Sequence, residues 1–385
     1  MTTGALRVAI VAGEASGDQL AAALIAELRA RCPGLEVRGV CGPAMQAQGC
    51  EPLAAASELA VMGLFEVLAH LPRLLRLRRR LRREFSAWRP DVFVGVDAPE
   101  FNLGLAARLH VAGISTVQYV SPQVWAWRER RVSGIARDCD LVLCLLPFEA
   151  PFYARHAIQA EFIGHPLADQ VPLDVDRGAA RRALDLATDA TVVALLPGSR
   201  RGEVARLAPD FIAAARALAA RRPAIRFIAP MASASVRAVF ERAWAAGAGG
   251  AQVRVLDGQA RLALQAADAA VIASGTASLE ALLCGCPMVV AYRFNAATAF
   301  LLRALRLVRV PHFSLPNLLA GESLVPEFLQ EAVSGGRLAA AVEAQLDDAP
   351  RRAMLAARFR AIHASLRQGG AAKAAGAVLR LIGRD

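Results

Sequence analysis

Along most of the chain, short runs of β-branched and apolar residues alternate with longer stretches in which apolar positions recur every three or four residues. The short runs predict strands at Arg7–Ala12, Val37–Val40, Asp91–Val96, Thr116–Val120, Leu141–Leu146 and Glu161–Ile163. A proline-bearing, charged stretch follows, GHPLADQVPLDVDRGAARRAL. The pattern then restarts at Thr191–Leu195, Ile225–Ala229, Val253–Leu256, Ala270–Ala273 and Met288–Tyr292. Strands separated by helices predict parallel sheets with helices on both faces. The restart predicts two such lobes in tandem, broken near 165–185. Facing lobes of this kind make a cleft lined by the carboxyl ends of strands, where ligands bind. From Arg351 onward the chain reads as helix, with Leu355, Phe359 and Ile362 at helical spacing.

Composition narrows this picture. A chain of 385 residues, 55% hydrophobic and 21% charged, is a folded protein with room for two cores. No stretch has the eighteen or so uninterrupted apolar residues of a membrane span. The start, MTTGALR, lacks a signal-peptide layout, so the expected compartment is the cytoplasm. The cysteines lack paired metal-ligand spacing; Cys284 and Cys286 form a lone C-x-C, and buried thiols are the expectation. The formal charge of +11 comes almost wholly from arginine, Lys373 being the only lysine. Its placement matters more than its total, because seven arginines fall between Arg73 and Arg83. No RNA-binding motif or aromatic interleaving accompanies them, so no nucleic-acid partner is expected.

Six segments offer chemistry. The first strand empties into G-E-A-S-G-D, Gly13 to Asp18, which is not a G-x-G-x-x-G fingerprint and carries two acids where a pyrophosphate would sit. Ser16 and Gln19 have capping-box spacing, and Leu20, Leu24 and Leu28 mark one face of the helix that follows. In AVIASGTASLEALL, a strand ending at Ala273 turns through Ser274, Gly275 and Thr276 into a helix whose first turn holds Ser278 and Glu280. Helix-start N–H groups and hydroxyls suit a phosphate, and the glutamate suits ribose hydroxyls; a capped helix with a dipole-complementing acid is the alternative. In LLPGSRRGE, Ser199 and Arg200 lie on the first βα loop of the second lobe. There an arginine can neutralise a departing diphosphate, or simply sit in a solvated turn. In VGVDAPEFN, Asp97 ends a strand as a candidate general base, with Glu100 as competitor and structural capping as the alternative. In VSPQVWAWRERRV, Trp125 and Trp127 beside Arg128, Arg130 and Arg131 suit either a sugar or acyl chain, or packing between lobes. In SLPNLLAG, Asn317 could reach a base or phosphate, or belong to an ordinary turn. Two D-x-D pairs, Asp138/Asp140 and Asp174/Asp176, are set aside as metal sites by their positions. His165 suits positioning more than catalysis.

The stretch Leu59 to Phe85 is basic and amphipathic. Val61, Leu64, Phe65, Leu68, Leu71 and Leu75 recur at helical spacing before the arginines, Arg73 and Arg76 among them, take over. Pro72 is expected to kink or restart the helix. A greasy, basic helix lies on an anionic bilayer, and Val61 and Met62 extend that surface; a helix packed on the first lobe with a solvated basic edge is the alternative.

Ten motifs in one order, VAGEASGD, GPAMQAQGCE, ELAVMGLFEVL, PDVFVGVDAPEFN, YVSPQVWAWR, LPFE, FIGHPLAD, LLPGSR, ASGTASLE and SLPNLLAG, resemble the lipid-A-disaccharide synthases, bacterial GT-B glycosyltransferases. The resemblance covers roughly Val8 to Glu327 and continues more loosely to the end. It implies two Rossmann-like lobes, parallel-sheeted and facing a central cleft, with C-terminal helices returning to the N-lobe. The implied division is 1–168 for acceptor and membrane, 186–349 for the UDP-sugar, and 350–385 for helices that can be exchanged between two subunits. It further implies condensation of UDP-2,3-diacylglucosamine with 2,3-diacylglucosamine 1-phosphate into the β-1,6 disaccharide 1-phosphate and UDP, with inversion, without metal or other cofactor, at the inner face of the inner membrane. Asp97 would be the base and Arg200 the diphosphate partner. Ser199, Ser274, Gly275, Thr276, Ser278, Glu280 and Asn317 would hold UDP. Gly13, Glu14, Ser16, Gly17 and Asp18 would meet the acceptor sugar.

Overall fold

Because a strand covered by helices on both faces has no solvent side, its sequence runs continuously apolar rather than alternating. VFVGV at 92–96 and VVALL at 192–196 are of this kind, and every position in both is buried. In the computed structural model, which describes residues 5–59, 64–122, 124–127, 132–295 and 311–384, these runs form the middles of two parallel sheets. The chain divides into two units, Met1–Asp169 with Leu366–Asp385, and Gln170–Ser365.

The first unit contains β1 (Arg7–Ala12), β2 (Glu36–Cys41), β3 (Cys50–Ala55), β4 (Val92–Val96), β5 (Ser115–Tyr119), β6 (Leu141–Cys144) and β7 (Ala160–Phe162). Their order is β3-β2-β1-β4-β5-β6-β7, so the direction of winding reverses between β1 and β4. On one face the helices Ala15–Arg31 and Gly370–Leu381 bury Leu24, Ile25, Leu28, Ala374 and Val378 against Val8, Ile10 and Val94. Arg380 adds an ion pair to Glu161 at 2.8 Å. On the other face the helix Leu64–Trp88 buries Leu77, Leu81 and Phe85, one residue per turn, with Leu105 and Phe93. Each such side chain contributes about 1.5–3 kcal/mol of burial. Of the two outcomes expected at Pro72, a kink or a restart, the helix does not restart, since it runs on through Pro72 from Leu64 to Trp88. Pro72 is itself exposed, and the turns after it are fixed in the core.

The second unit contains β8 (Val192–Leu196), β9 (Arg226–Met231), β10 (Val253–Asp257), β11 (Ala269–Ala273), β12 (Met288–Tyr292) and β13 (Glu327–Leu329), in the order β10-β9-β8-β11-β12-β13. Here the reversal lies between β8 and β11. The charged stretch read as an interlobe break belongs to this unit from Gln170 onward. Arg181 explains why: its buried guanidinium pairs with Asp268 at 2.7 Å and donates to the carbonyl of Ala266 at 3.1 Å. The C-terminal helices likewise do not travel together. Ala349–Leu366 lies almost wholly in the second unit, with Arg358 on Glu322 at 2.6 Å and Arg360 on Asp174, whereas Gly370–Leu381 rejoins the first. Among the described residues no helix is long and apolar enough to cross a membrane.

Candidate functional site

Ligands of open parallel sheets gather at the carboxyl edge where the winding reverses, because the connections there diverge to opposite faces and leave a crevice. In the second unit a cavity of about 600 Å³ occupies that place. The loop after β8 supplies Gly198, Ser199 and Arg200 and the helix that follows it Glu203, while the turn after β11 supplies Ser274 and Gly275 and its helix Thr276 and Glu280. Met231, Gly258, Tyr292, Phe294 and Phe313 complete the wall.

Local rules explain both loops. Gly198 has φ of 132°, and a Cβ there would stand 2.7 Å from the Cβ of Glu203, so only glycine permits the turn. It lets Arg200 act as the N-cap residue of the helix Arg201–Arg221, with its guanidinium largely exposed (64%) and 3.5 Å from Glu203. Gly275 has φ of 147°, yet an added Cβ would meet nothing within 4 Å; conformation alone demands glycine, and the cavity side stays open. The helix Thr276–Leu283 starts there, and its first N–H groups have no helical acceptors. Glu280 lies in the second turn rather than the first, as its place five residues along that helix shows, but it still lines the cavity. Burial raises its pKa, and Arg261 opposes the shift. Burial likewise raises the pKa of the Tyr292 phenol on the wall, with Arg206 and Arg200 opposing the shift.

Two residues expected here do other work. Asn317 is fully buried; its Nδ2 donates to the carbonyl of Val325 at 2.9 Å, and its Oδ1 accepts from the N–H groups of Leu324 and Val325 at 2.9 and 2.8 Å. It clamps the chain before β13, and its full burial keeps it off the cavity wall. Ser278 is also buried, and its hydroxyl donates to the carbonyl of Gly275 at 2.8 Å. Ser274 lines the cavity but spends its proton on the carbonyl of Phe313 at 3.2 Å. Sequence reading missed Glu203, Tyr292, Phe294 and Phe313. The signal for Tyr292 and Phe294 was their place just where β12 ends.

In the first unit the reversal point brings the loop after β1 beside the turn after β4. A Cβ on Gly13 would lie 3.1 Å from that of Ala98. Asp97 and Ala98 both adopt left-handed backbone, φ 52° and 40°, which for alanine costs about 1–2 kcal/mol. The Asp97 carboxylate is half-buried, and among the described residues no donor engages it. Glu14 is the N-cap residue of Ala15–Arg31, which displaces the expected capping box at Ser16; Ser16 is exposed. Asp18 and Gly17, expected at the acceptor sugar, are engaged within the fold instead. Asp18 is buried and accepts from the N–H groups of Gly42, Ala44 and Met45 at 2.8, 2.9 and 3.2 Å, capping the helix Pro43–Ala47. Gly17 is packed against Ala12 and Val96. Neither is available to a sugar.

The two D-x-D pairs are engaged in structure. Asp140 accepts from Thr116 N–H at 2.7 Å, Asp138 pairs with Arg137, Asp174 pairs with Arg360, and Asp176 caps the helix Arg177–Ala183. Val61, Met62, Arg128, Arg130 and Arg131 lie outside the described residues, and for Leu64, Phe65, Leu68 and Trp127 only the helical backbone is described. Leu71 is exposed (42%), as are Arg73 and Arg76; Arg73 donates to the carbonyl of Glu58 at 2.7 Å.

Trp125 serves the first unit's interior. Its indole donates to Glu149 at 3.2 Å and meets Phe148 edge-on at 4.8 Å. Burial pushes the Glu149 carboxyl up to about 7, against the hydrogen bonds from Leu146 and Trp125. The folded chain therefore holds this proton more tightly than the unfolded chain, and stability falls as pH rises from about 4.5 to about 7, by on the order of 3 kcal/mol. Glu149→Gln is expected to flatten that decline, whatever its own absolute stability. Urea unfolding at a series of pH values checks this; an unchanged slope would assign the decline to another group.

Residues 8–380 match the family description of lipid-A-disaccharide synthetase. A lipid-A-disaccharide synthase of Sodalis glossinidius is 52% identical over 384 residues, covering 100% of each chain. Among solved structures, the glycotransferase of kitacinnamycin has a TM-score of 0.63 at 21% identity, over 98% of this chain and 100% of its own. The UDP-GlcNAc 2-epimerase of Neisseria meningitidis, bound to UDP-GlcNAc, has a TM-score of 0.64 at 12% identity, over 99% and 100%. At such identities the two structures establish the fold, that of the GT-B glycosyltransferases.

Proposed function

The chain belongs to the lipid-A-disaccharide synthase family of UDP-sugar glycosyltransferases, and from that premise we propose the course of its reaction. It condenses UDP-2,3-diacylglucosamine with 2,3-diacylglucosamine 1-phosphate, forming the β-1,6 disaccharide 1-phosphate and UDP. The donor's anomeric bond is α, so a β product requires in-line attack by the acceptor 6-hydroxyl on the face opposite the leaving diphosphate. Asp97 takes the hydroxyl proton as the C–O bond forms. The anomeric carbon–oxygen bond breaks, its electron pair leaves on the β-phosphate, and Arg200 receives that charge without help from a metal ion. The open helix start at Gly275–Thr276 faces the diphosphate, and Glu280 accepts from ribose hydroxyls. Glu14 and Ser16 remain as acceptor contacts.

The observation that most supports this reading is the second unit's cavity, which gathers Arg200, the Gly275 helix start and Glu280 at one reversal point. Mixing both substrates is expected to release UDP, with either alone inert, and the proton coupling of the new linkage is expected to be that of a β-glycoside. An α linkage would overturn inversion. UDP-sugar converted to its 2-epimer without acceptor would replace the whole reading by an epimerase, whose fold this chain shares.

Peripheral attachment to an anionic bilayer belongs to the same proposal. Arg73, Arg76, Arg79, Arg80, Arg82 and Arg83 are all exposed along the helix Leu64–Trp88, and each contributes about 1 kcal/mol near such a surface.

A further inference from the structure

Two buried amides lie beneath the Asp97 turn, and nothing in the reaction above uses them. Asn102, at the start of the helix Pro99–His110, is fully buried. Its Nδ2 donates to the Asp97 carbonyl at 2.8 Å and reaches the carbonyls of Val96 and Val11 at 3.3 and 3.4 Å. Its Oδ1 has no partner among the described residues, so the side chain acts as a donor. Gln118, buried on β5, donates from Nε2 to the same Asp97 carbonyl at 3.1 Å and to that of Val120 at 3.2 Å.

The carbonyls they hold border backbone that L-residues seldom adopt. Asp97 and Ala98 are left-handed, and Val120 has φ of 76°, an outlier for a β-branched residue. Such conformations persist only where their surroundings over-determine them. Gly95 on β4 completes the arrangement, since a Cβ there would stand 2.7 Å from that of Asn102. The strand has no side chain where the amide must enter.

We infer that Asn102 and Gln118 are positioning residues for the base: by gripping the Asp97 carbonyl they hold the left-handed pair and so aim the carboxylate, without touching substrate. The inference rests on the assignment of Asp97 as base. Released, the turn relaxes toward right-handed backbone and carries the carboxylate away from the acceptor oxygen. A misplacement of about 1 Å can cost about 10²-fold in rate.

The test is a double-mutant cycle on the full-length chain. Asn102→Ala and Gln118→Met are each made alone and with Asp97→Asn, with UDP affinity followed by calorimetry. Each single variant is expected to lose about tenfold or more in kcat with unchanged UDP affinity, and to add no loss once Asp97 is asparagine. Equal losses in both backgrounds would mean that the amides merely support the fold, and would overturn the inference. So would a folded single variant with kcat within about twofold of the parent. If Asn102→Ala does not fold, Gln118→Met, on another element and of nearly conserved volume, decides alone. Near-normal turnover by Asp97→Asn itself would end the base assignment and this inference with it, whereas failure of the amide variants alone leaves the base in place.

Discussion

Asp97→Asn is expected to lose at least about 10²-fold in turnover while binding UDP as the parent chain does. The substitution keeps size and shape but replaces the carboxylate with an amide too weakly basic to take the hydroxyl proton. Its backbone requirements are met, because asparagine tolerates left-handed φ as readily as aspartate. The amides beneath grip the main-chain carbonyl, which the variant retains. UDP affinity should persist because the residues proposed to hold the nucleotide belong to the second unit. Steady-state kinetics with calorimetry on the same preparation separates the two effects. Turnover within about threefold of the parent would move the role of base to another group, Glu100 being the neighbour to try.

Arg200→Ala is expected to lose about 10²–10³-fold in kcat/KM and to weaken UDP binding as well. A departing diphosphate concentrates negative charge on the oxygen that leaves, and the guanidinium is the cation the cavity presents on the loop after β8. This cation lies 3.5 Å from Glu203. On the proposed reading, phosphate oxygens replace that partner when UDP binds. Arg200→Lys should recover affinity only in part, because an ammonium keeps the charge but not the planar two-point grip. Competition binding by UDP, alongside initial rates, reads both. An alanine variant with unchanged UDP affinity would remove Arg200 from the leaving-group role.

Most of the fold was legible because its central strands are buried on both faces and therefore stand out as continuous apolar runs. The two strands not expected, β3 (CEPLAA) and β13 (EFL), are edge strands. One carries Pro52, which edges tolerate and central strands do not, and the other follows Pro326 and holds no β-branched residue. The helix Leu64–Trp88 was legible as amphipathic, but not the division of its apolar positions. Leu77, Leu81 and Phe85 belong to the core of the first unit.

The site separates along the same line. Gly198, Arg200, Gly275 and Thr276 could be found in the chain itself, since each follows a strand by two to four residues and local rules tie turn, cap and helix start together. Asp18, Ser278 and Asn317 could not be placed that way. Asp18 and a phosphate-free sugar loop fit the same letters, and only the fold brings the N–H groups of Gly42, Ala44 and Met45, 24 to 27 residues further on, onto its carboxylate. The grip of Asn102 and Gln118 on Asp97 is decided in the same manner, with Gln118 contributed by a neighbouring strand 21 residues away. A hydrogen bond satisfies whichever partner the packed chain delivers, and a buried polar side chain reveals its duty only when that partner is in place.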